Sequence, residues 1–185
     1  ALPAVYAISN ASEAGVEAYL QQLERAPKQG LKLVQVREKN MPAAQCADFA
    51  RRVVELAHAH GAQVLINRDA ALATQVGADG VHLTGEQLAQ CEERPAFAMV
   101  AASTHSRAEI ERAAALKLDF TVLGPVHATA SHPGEVPLGW PRFAEIVTAA
   151  PLPVYALGGM TTADLHDARA AGAHGIAMQR AGYAA

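Results

Sequence analysis

The feature that most constrains the fold is a regular alternation of short apolar runs with longer segments of helical periodicity. Eight runs of four or five residues are rich in apolar side chains, and several contain little else. Such runs are typical of parallel strands covered on both faces. The predicted strands are Val5–Ile8, Leu33–Arg37, Val64–Asn67, Gly80–Leu83, Met99–Ser103, Phe120–Gly124, Val154–Leu157 and Gly175–Met178.

Helices are predicted between these strands. In the longest one, Ala47, Ala50, Val54 and Ala57 recur at helical spacing, and a proline stands in the first turn. The predicted helices are Glu13–Arg25, Pro42–His60, Ala70–Val76, Gly85–Cys91, Arg107–Leu116, Trp140–Ala149 and Thr162–Ala171.

Eight strands alternating with seven helices predict an α/β fold, a (β/α)8 TIM barrel. A doubly wound open sheet is the alternative. At 185 residues the barrel would be minimal, below the usual lower limit of about 200 residues. Almost nothing follows the eighth strand, so the last helix is expected to be short or absent. We expect a single domain over residues 1–185, and the start at Ala1 suggests a processed start or a domain from a longer chain.

Composition argues against several classes of function. The net charge of −3 leaves no basic excess for a nucleic-acid backbone or an anionic membrane surface. No apolar stretch reaches the roughly 18 residues of a membrane span, and the first residues lack the features of a signal peptide. The two cysteines, Cys46 and Cys91, are too few for a disulfide framework or a zinc site. We therefore expect a cytoplasmic protein with no nucleic-acid or membrane partner.

Polar residues at the carboxyl ends of the predicted strands are the candidates for a site, because active sites of such barrels lie there. After the second strand, period-2 alternation places Gln35, Arg37 and Lys39 on one side. Three hydrogen-bond donors in this position suit a phosphate or carboxylate ligand. A surface ion pair with Glu38 is the alternative.

Two small polar residues, Asn67 and Ser103, end the third and fifth strands and suit hydrogen bonds to a ligand. Helix capping is the alternative role, although Asp69 and Ser106 are better placed for it. His82 ends an apolar strand, so we expect it to be a buried, hydrogen-bonded structural histidine.

The long loop Pro125–Gly139 follows the sixth strand and is the richest segment in chemistry. His127 and His132 are candidates for acid/base catalysis, because histidine titrates near neutral pH. The hydroxyls of Thr129 and Ser131 are candidates for ligand binding. A polar lid with solvated histidines is the alternative.

The loops after the seventh and eighth strands are the recurrent phosphate site of this fold. Gly158 and Gly159 would let backbone N–H groups approach a phosphate, and Gln179 and Arg180 follow the eighth strand. A glycine turn that merely connects strand to helix is the alternative.

Taken in order, these segments resemble the thiamin phosphate synthase and thiazole tautomerase superfamily, whose fold is a (β/α)8 barrel. The resemblance covers nearly the whole chain. It is carried by residues 35–39 (QVREK), 77–83 (GADGVHL), 124–125 with Thr129 and Ser131, 137–139 (PLG) and 156–160 (ALGGM).

A narrower resemblance concerns residues 65–69 (LINRD), 81–84 (VHLT) and 177–182 (AMQRAG). These segments are similar to the synthase-like C-terminal domain that follows a Nudix hydrolase in some bacterial fusion proteins. This similarity implies an N-terminal Nudix hydrolase domain as a partner in the full chain.

The resemblance implies two activities. The synthase joins a pyrimidine diphosphate to a thiazole phosphate with Mg²⁺, and the tautomerase moves a proton on a thiazole phosphate without a metal. The family's metal-binding acids fall at Arg68 and Gln87 in this chain, with Asp69 and Glu86 one residue away. The family's loop lysine falls at His132 and its late phosphate-binding serine at Arg180.

These departures favour metal-free, tautomerase-like chemistry on a thiazole phosphate, with His127 or His132 as proton carrier and no required cofactor. The first alternative is a synthase whose Mg²⁺ is held by Asp69, Glu86 and substrate oxygens. The second is a non-catalytic domain that binds thiamin phosphate and serves a fused hydrolase.

Overall fold

A closed barrel of eight parallel strands forms the centre of the molecule. The computed structural model describes residues 1–26 and 30–179. Each strand pairs with the next one along the chain, and the eighth closes the barrel on the first. The strands are β1 (Val5–Ile8), β2 (Leu33–Val36), β3 (Gln63–Asn67), β4 (Gly80–Leu83), β5 (Met99–Thr104), β6 (Phe120–Leu123), β7 (Val154–Ala156) and β8 (Gly175–Met178).

Helices cover the outside of the barrel. They are α1 (Ala11–Ala14), α2 (Val16–Arg25), α3 (Ala43–Ala59), α4 (Ala70–Val76), α5 (Gly85–Gln90), α6 (Arg107–Ala115), α7 (Gly139–Val147) and α8 (Leu165–Ala170), the last preceded by a 3-10 turn at Thr162–Asp164. Within residues 1–26 and 30–179, no helix combines the length and the apolar character needed to cross a membrane.

The structure confirms the predicted barrel and excludes the open sheet. The eight strands lie where they were predicted, to within one residue at either end. One predicted helix is divided in two, because Gly15 takes a φ of 86° between α1 and α2. The expected short last helix would lie in residues 180–185, outside the described part of the chain.

Side chains fill the interior of the barrel, as they do in this fold generally. Tyr6, Phe120 and Tyr155 are fully buried, and the Phe120 ring lies edge-on to both tyrosines, with centroids 5.0 and 5.1 Å away. Such offset aromatic contacts stabilise a core beyond the apolar area they bury. A packed interior leaves no pore, so small-molecule ligands must bind at an end of the barrel.

Between the barrel and its helices lies the second apolar layer. Helix α3 illustrates it, because Phe49, Ala50, Val53, Val54 and Ala57 are all buried against the strands. This stripe recurs at three- and four-residue spacing, which keeps it on one face of the helix. The rigid outer layer fixes where each strand ends, and the strand ends carry the polar side chains.

Candidate active site

A cavity of about 170 Å³ opens at the carboxyl ends of the strands. We call it the mouth cavity. Among its lining residues are five that the sequence predicted as site residues: Arg37, Lys39, Asn67, Ser103 and His132. They lie just after β2, in β3 and β5, and in the loop after β6, so barrel closure brings together residues far apart in the chain.

Positive charge accumulates on one side of the mouth cavity. The guanidinium of Arg37 lowers the pKa of Lys39, an effect to which burial and Arg68 also contribute. Burial lowers the pKa of Arg37 itself, partly offset by Glu38. Both side chains stay charged at neutral pH, because their ordinary pKa values are so high. Crowded cations of this kind suit an anion carrying more than one negative charge.

Glu38 does not form the ion pair with Arg37 that was the alternative interpretation. Its carboxylate accepts hydrogen bonds from the Ser9 hydroxyl at 2.6 Å and from the backbone N–H groups of Ala11 and Ser12 at 3.2 and 2.7 Å. It therefore holds the start of α1, where a negative charge is favourable. Glu38 therefore does not neutralise Arg37 or Lys39 by direct contact.

A second cavity, also about 170 Å³, lies beside the first. We call it the glycine cavity. It is lined by Thr129, Ser131, His132, Gly158, Gly159 and Gln179, together with Leu157, Met160, Thr161 and Ala177. The six residues named first are all sequence predictions, and they bring the loop after β6 together with the ends of β7 and β8. Arg180, predicted for the same phosphate site, lies outside the described residues.

The loop after β6 is attached to the end of β7 at its base. Val126 donates its N–H to Leu157 O at 2.8 Å, and His127 donates to Gly158 O at 3.2 Å. Farther along, the Ser131 hydroxyl donates to Gln179 Oε1 at 3.1 Å, which ties the loop to the end of β8. These contacts fix the loop over the glycine cavity.

His132 lines both cavities. Burial lowers its pKa; Glu135 partly offsets this, while Arg37, His105 and Lys39 lower the pKa further. The ring is therefore neutral at pH 7. Its Nδ1 is buried without a hydrogen-bond partner among the described residues. A neutral ring that lines both cavities can contact a ligand in either of them.

His127 lines neither cavity. Its Nε2 lies 3.3 Å from Asp164 Oδ1, and its ring meets Trp140 edge-on with centroids 5.6 Å apart. Asp164 also accepts from the Thr161 N–H at 2.8 Å. This geometry places His127 in a contact that joins the loop after β6 to the loop after β7, with the glycine cavity beside it.

Gln35 is buried beneath the mouth, with 1% of its surface exposed, and it lines neither cavity. His82 is equally buried and hydrogen-bonded, which confirms the structural role expected for it. Asp69 and Ser106 accept from Leu72 and Glu109 as helix N-caps, so Asn67 and Ser103 are free of that task.

Seven further residues line the mouth cavity and were not singled out as ligand contacts, and four of these follow or end a strand of the β4–β5 region: Thr84, Gly85, Thr104 and His105. All four directly follow β4 or lie at the end of β5. Active sites of this fold lie at the carboxyl ends of the strands, and this rule applied equally to every strand would have included all four.

The side chains near Asn67 do not fit a divalent cation such as Mg²⁺. Asp69 uses Oδ1 to cap α4, and the Gln87 side chain accepts from Thr84 N and donates to Arg68 O at 3.0 and 2.8 Å. Arg68 adds a positive charge, whereas Mg²⁺ prefers carboxylate oxygens. Over the described ranges, no three residues among His, Cys, Asp and Glu are grouped so that they could hold a metal ion.

Comparisons with known proteins place this chain in a family. The sequence model of a family described as thiamine monophosphate synthase (TMP-TENI) matches residues 5–181. The thiamine-phosphate synthase of Thermus thermophilus is 36% identical over 169 residues, covering 90% of this chain and 82% of that protein. The thiamine-phosphate synthase of Gloeobacter violaceus is 37% identical over 162 residues, covering 86% of this chain but 48% of that protein.

A solved structure is similar as well. The thiamine phosphate pyrophosphorylase from Pyrococcus furiosus superposes with a TM-score of 0.81 at 24% identity, covering 98% of this chain and 87% of that one. At this identity the structural similarity shows only a shared fold. The family model and the more similar sequences show common ancestry. Together they show that the chain belongs to the thiamine monophosphate synthase family.

Proposed function

We propose that this domain is a thiamin phosphate synthase, a transferase that joins a pyrimidine diphosphate to a thiazole phosphate and releases diphosphate. The observation that carries the proposal is the pair of adjoining cavities, which suits a reaction between two substrates. The membership of the family and the names of the relatives support the same reaction. The free thiols of Cys46 and Cys91 accord with the cytoplasmic location that we propose with it.

The comparisons favour this reaction over the tautomerase-like chemistry that the sequence departures suggested. The relatives carry the name of the synthase, which was the first alternative. The comparisons also give no support to the narrower resemblance to a domain of Nudix fusion proteins, or to a Nudix partner.

In the proposed complex, the mouth cavity holds the pyrimidine diphosphate, with its diphosphate beside Arg37 and Lys39. The glycine cavity holds the thiazole phosphate, whose phosphate accepts hydrogen bonds from the backbone after β7 and from the Thr129 hydroxyl. This division follows charge: the substrate with more negative charge lies beside the crowded cations.

The lone pair of the thiazole ring nitrogen forms a bond to the carbon that carries the diphosphate, and the bond from that carbon to the diphosphate oxygen breaks, which leaves the thiazole nitrogen positively charged. The bonding electrons leave with the diphosphate. Arg37 and Lys39 stabilise the charge that develops there, because fixed cations in a water-poor site stabilise a transition state strongly. His132, neutral and in contact with both cavities, orients the two substrates and excludes water between them.

The proposal is tested by supplying the protein with both substrates and measuring thiamin phosphate by chromatography, in Mg²⁺ and in chelator. We expect product from the wild type. Arg37→Ala should reduce kcat/KM by about 10²-fold, because it removes a charge-assisted hydrogen bond to the leaving group.

The control is Arg51→Ala, on the outer face of α3, where the side chain is exposed and 3.8 Å from Asp48. It should retain wild-type turnover. Absence of product in both conditions, with both ligands still bound in calorimetry, would contradict the proposal and favour the non-catalytic binding domain instead.

A further inference from the structure

A third cavity, of about 300 Å³, opens between the carboxyl ends of β2 and β3. We call it the β2–β3 cavity. Lys39 and Asn67 line both this cavity and the mouth cavity, so the two adjoin. Arg68 lines the β2–β3 cavity but not the mouth cavity. The diphosphate placed above beside Arg37 and Lys39 leaves this space without a ligand group.

Three cations lie along the two adjoining cavities: Arg37 lines the mouth cavity, Arg68 the β2–β3 cavity and Lys39 both. The charge of Arg37, burial and the charge of Arg68 each lower the pKa of Lys39. Among the residues that the structure describes, no carboxylate lies at ion-pair distance from any of the three. Cations spread over two cavities suit an anion longer than a single phosphate, such as a diphosphate.

The backbone of Arg68 is held in an uncommon conformation. Its φ is 57°, in the left-handed region that residues other than glycine seldom adopt. The Arg68 N–H donates to His82 O at 2.8 Å, and Gln87 Nε2 donates to Arg68 O at 2.8 Å. The Asp69 N–H donates to Asn67 O at 2.7 Å, which closes a tight turn around Arg68. Such a conformation persists only where its surroundings impose it, and it is frequent at binding sites.

Gln87 is itself fixed by the start of α5. Its Oε1 accepts from the Thr84 N–H at 3.0 Å, and its own N–H donates to Thr84 Oγ1 at 3.1 Å, which together form a capping box. Because Oε1 accepts from Thr84, the NH2 group of the amide faces Arg68 O. Gln87 therefore joins α5 to the turn that carries Arg68.

Two carboxylates also line the β2–β3 cavity, those of Glu38 and Asp69, but helix N–H groups hold both of them. Glu38 accepts at the start of α1, and Asp69 Oδ1 accepts from the Leu72 N–H at 2.9 Å in α4. A divalent cation bound in this cavity would lie near the guanidinium of Arg68, which repels it. A phosphate group would instead gain a charge-assisted hydrogen bond from the same guanidinium.

We propose that Arg68, positioned by Gln87, binds the terminal phosphate of a diphosphate in the β2–β3 cavity and so makes diphosphate binding independent of a divalent cation. That this diphosphate is the leaving group of a pyrimidine diphosphate rests on the proposed function. The diphosphate then extends from Arg37 in the mouth cavity, past Lys39, to Arg68. The guanidinium supplies the positive charge that the resemblance to the synthase assigns to Mg²⁺.

The inference is tested by calorimetry with inorganic diphosphate, in chelator and in Mg²⁺, which requires no turnover. We expect the wild type to bind diphosphate in chelator. Mg²⁺ should weaken this binding, because it occupies phosphate oxygens that Arg68 contacts. Arg68→Gln should reduce the affinity in chelator by about tenfold or more, the scale of a lost charged hydrogen bond. The matched control is Arg169→Gln on the exposed last turn of α8, at the opposite end of the barrel, which should bind as the wild type does.

The positioning role of Gln87 is tested by a double-mutant cycle. Gln87→Met removes the donor to Arg68 O at similar volume, and it should weaken diphosphate binding in chelator by about fivefold, within the usual coupling of residues in contact. In the Arg68→Gln background the same change should have little effect, because Gln87 acts through Arg68. Equal losses in the two backgrounds would contradict the positioning role.

Three results would overturn the inference: no binding of diphosphate in chelator, an affinity that Mg²⁺ raises, or an unchanged affinity in Arg68→Gln. Formation of thiamin phosphate only in Mg²⁺ would also contradict it, while leaving the proposed function intact. Absence of product, with diphosphate still bound through Arg68 in chelator, would contradict the proposed function and support the anion site.

Discussion

At the scale of single residues, His132 and His127 have different surroundings although five positions separate them. His132 lines both cavities with a buried, unpaired Nδ1, and burial together with nearby cations keeps its ring neutral. His127 contacts Asp164 and Trp140. Sequence reasoning favoured His127 for chemistry and His132 for the anion, since His127 is nearer the strand end. The contacts of the two rings favour the opposite assignment. His132 lies at the substrates, and His127 is a positioning residue.

We therefore expect His132→Gln to reduce kcat by about tenfold or more, because a ligand in either cavity loses its contact with the imidazole ring. His127→Gln is the matched variant, with the same change made outside the cavities. It should mainly lower thermal stability and leave kcat within a few-fold of the wild type. Steady-state kinetics and thermal melting distinguish the two, and a larger kcat loss in His127→Gln would reverse the assignment.

The group Gln35, Arg37 and Lys39 shows how far a sequence pattern reaches at this scale. Alternation along β2 predicts that the three share one side, and two of them, Arg37 and Lys39, line the mouth cavity. The alternation does not show how far each side chain lies from the mouth of the barrel. Gln35 lies two residues before Arg37, about 7 Å farther down the strand and inside the barrel. The depth depends on where the strand ends against its neighbours, which only the closed barrel determines.

At the scale of elements, close packing joins the loop after β6 to the end of β7. A Cβ atom on Gly158, whose φ is 109°, would lie 2.6 Å from Pro125 Cα and 2.8 Å from Val126 N. A Cβ atom on Gly124 would lie 2.2 Å from Leu157 O. Two facing glycines therefore let these segments touch, and this contact shapes the floor of the glycine cavity.

Gly158→Ala should destabilise the protein by roughly 1–3 kcal/mol, because the added methyl group must displace backbone atoms. It should also weaken binding of the thiazole phosphate at least about tenfold, as the loop carrying Thr129 and Ser131 moves. Gly61→Ala is the control: its φ of 69° is also left-handed, but nothing lies within 4 Å of the added Cβ. Denaturant unfolding and calorimetry measure both effects. Equal losses in the two variants would show that backbone strain, and not the loop contact, is responsible.

The elements themselves were largely predictable, because each strand is a short apolar run that burial on both faces requires. The exceptions have local causes. Gly15 divides the first helix, and a 3-10 turn, in which Asp164 accepts from the Thr161 N–H, precedes α8. The β6–α7 loop has no repeating pattern, so its two histidines were identified by residue type while their directions were not predictable. The directions follow from tertiary contacts with β7, β8 and the Thr162–Asp164 turn.

At the scale of the whole molecule, the barrel interior is a neutral environment that excludes charge. His82 is held there uncharged, with a pKa of about 3 set by burial and then by Arg37. An unfolded chain would have the ordinary histidine pKa of about 6.5. Between these two values the unfolded chain binds a proton that the folded protein does not. Stability from this group is therefore fully present above about pH 6.5 and is lost as the pH falls toward 3.

We expect the free energy of unfolding to fall by about 1.4 kcal/mol per pH unit from this proton alone between roughly pH 6 and 4. His82→Gln removes the titrating ring, so its curve of unfolding free energy against pH should be flatter by that slope, even if its stability at pH 7 is lower. The matched control is His166→Gln on the exposed side of α8, which removes an imidazole without altering the barrel interior. Urea unfolding at a series of pH values gives the three curves. Parallel curves for the wild type and His82→Gln would mean that His82 is protonated within the folded barrel.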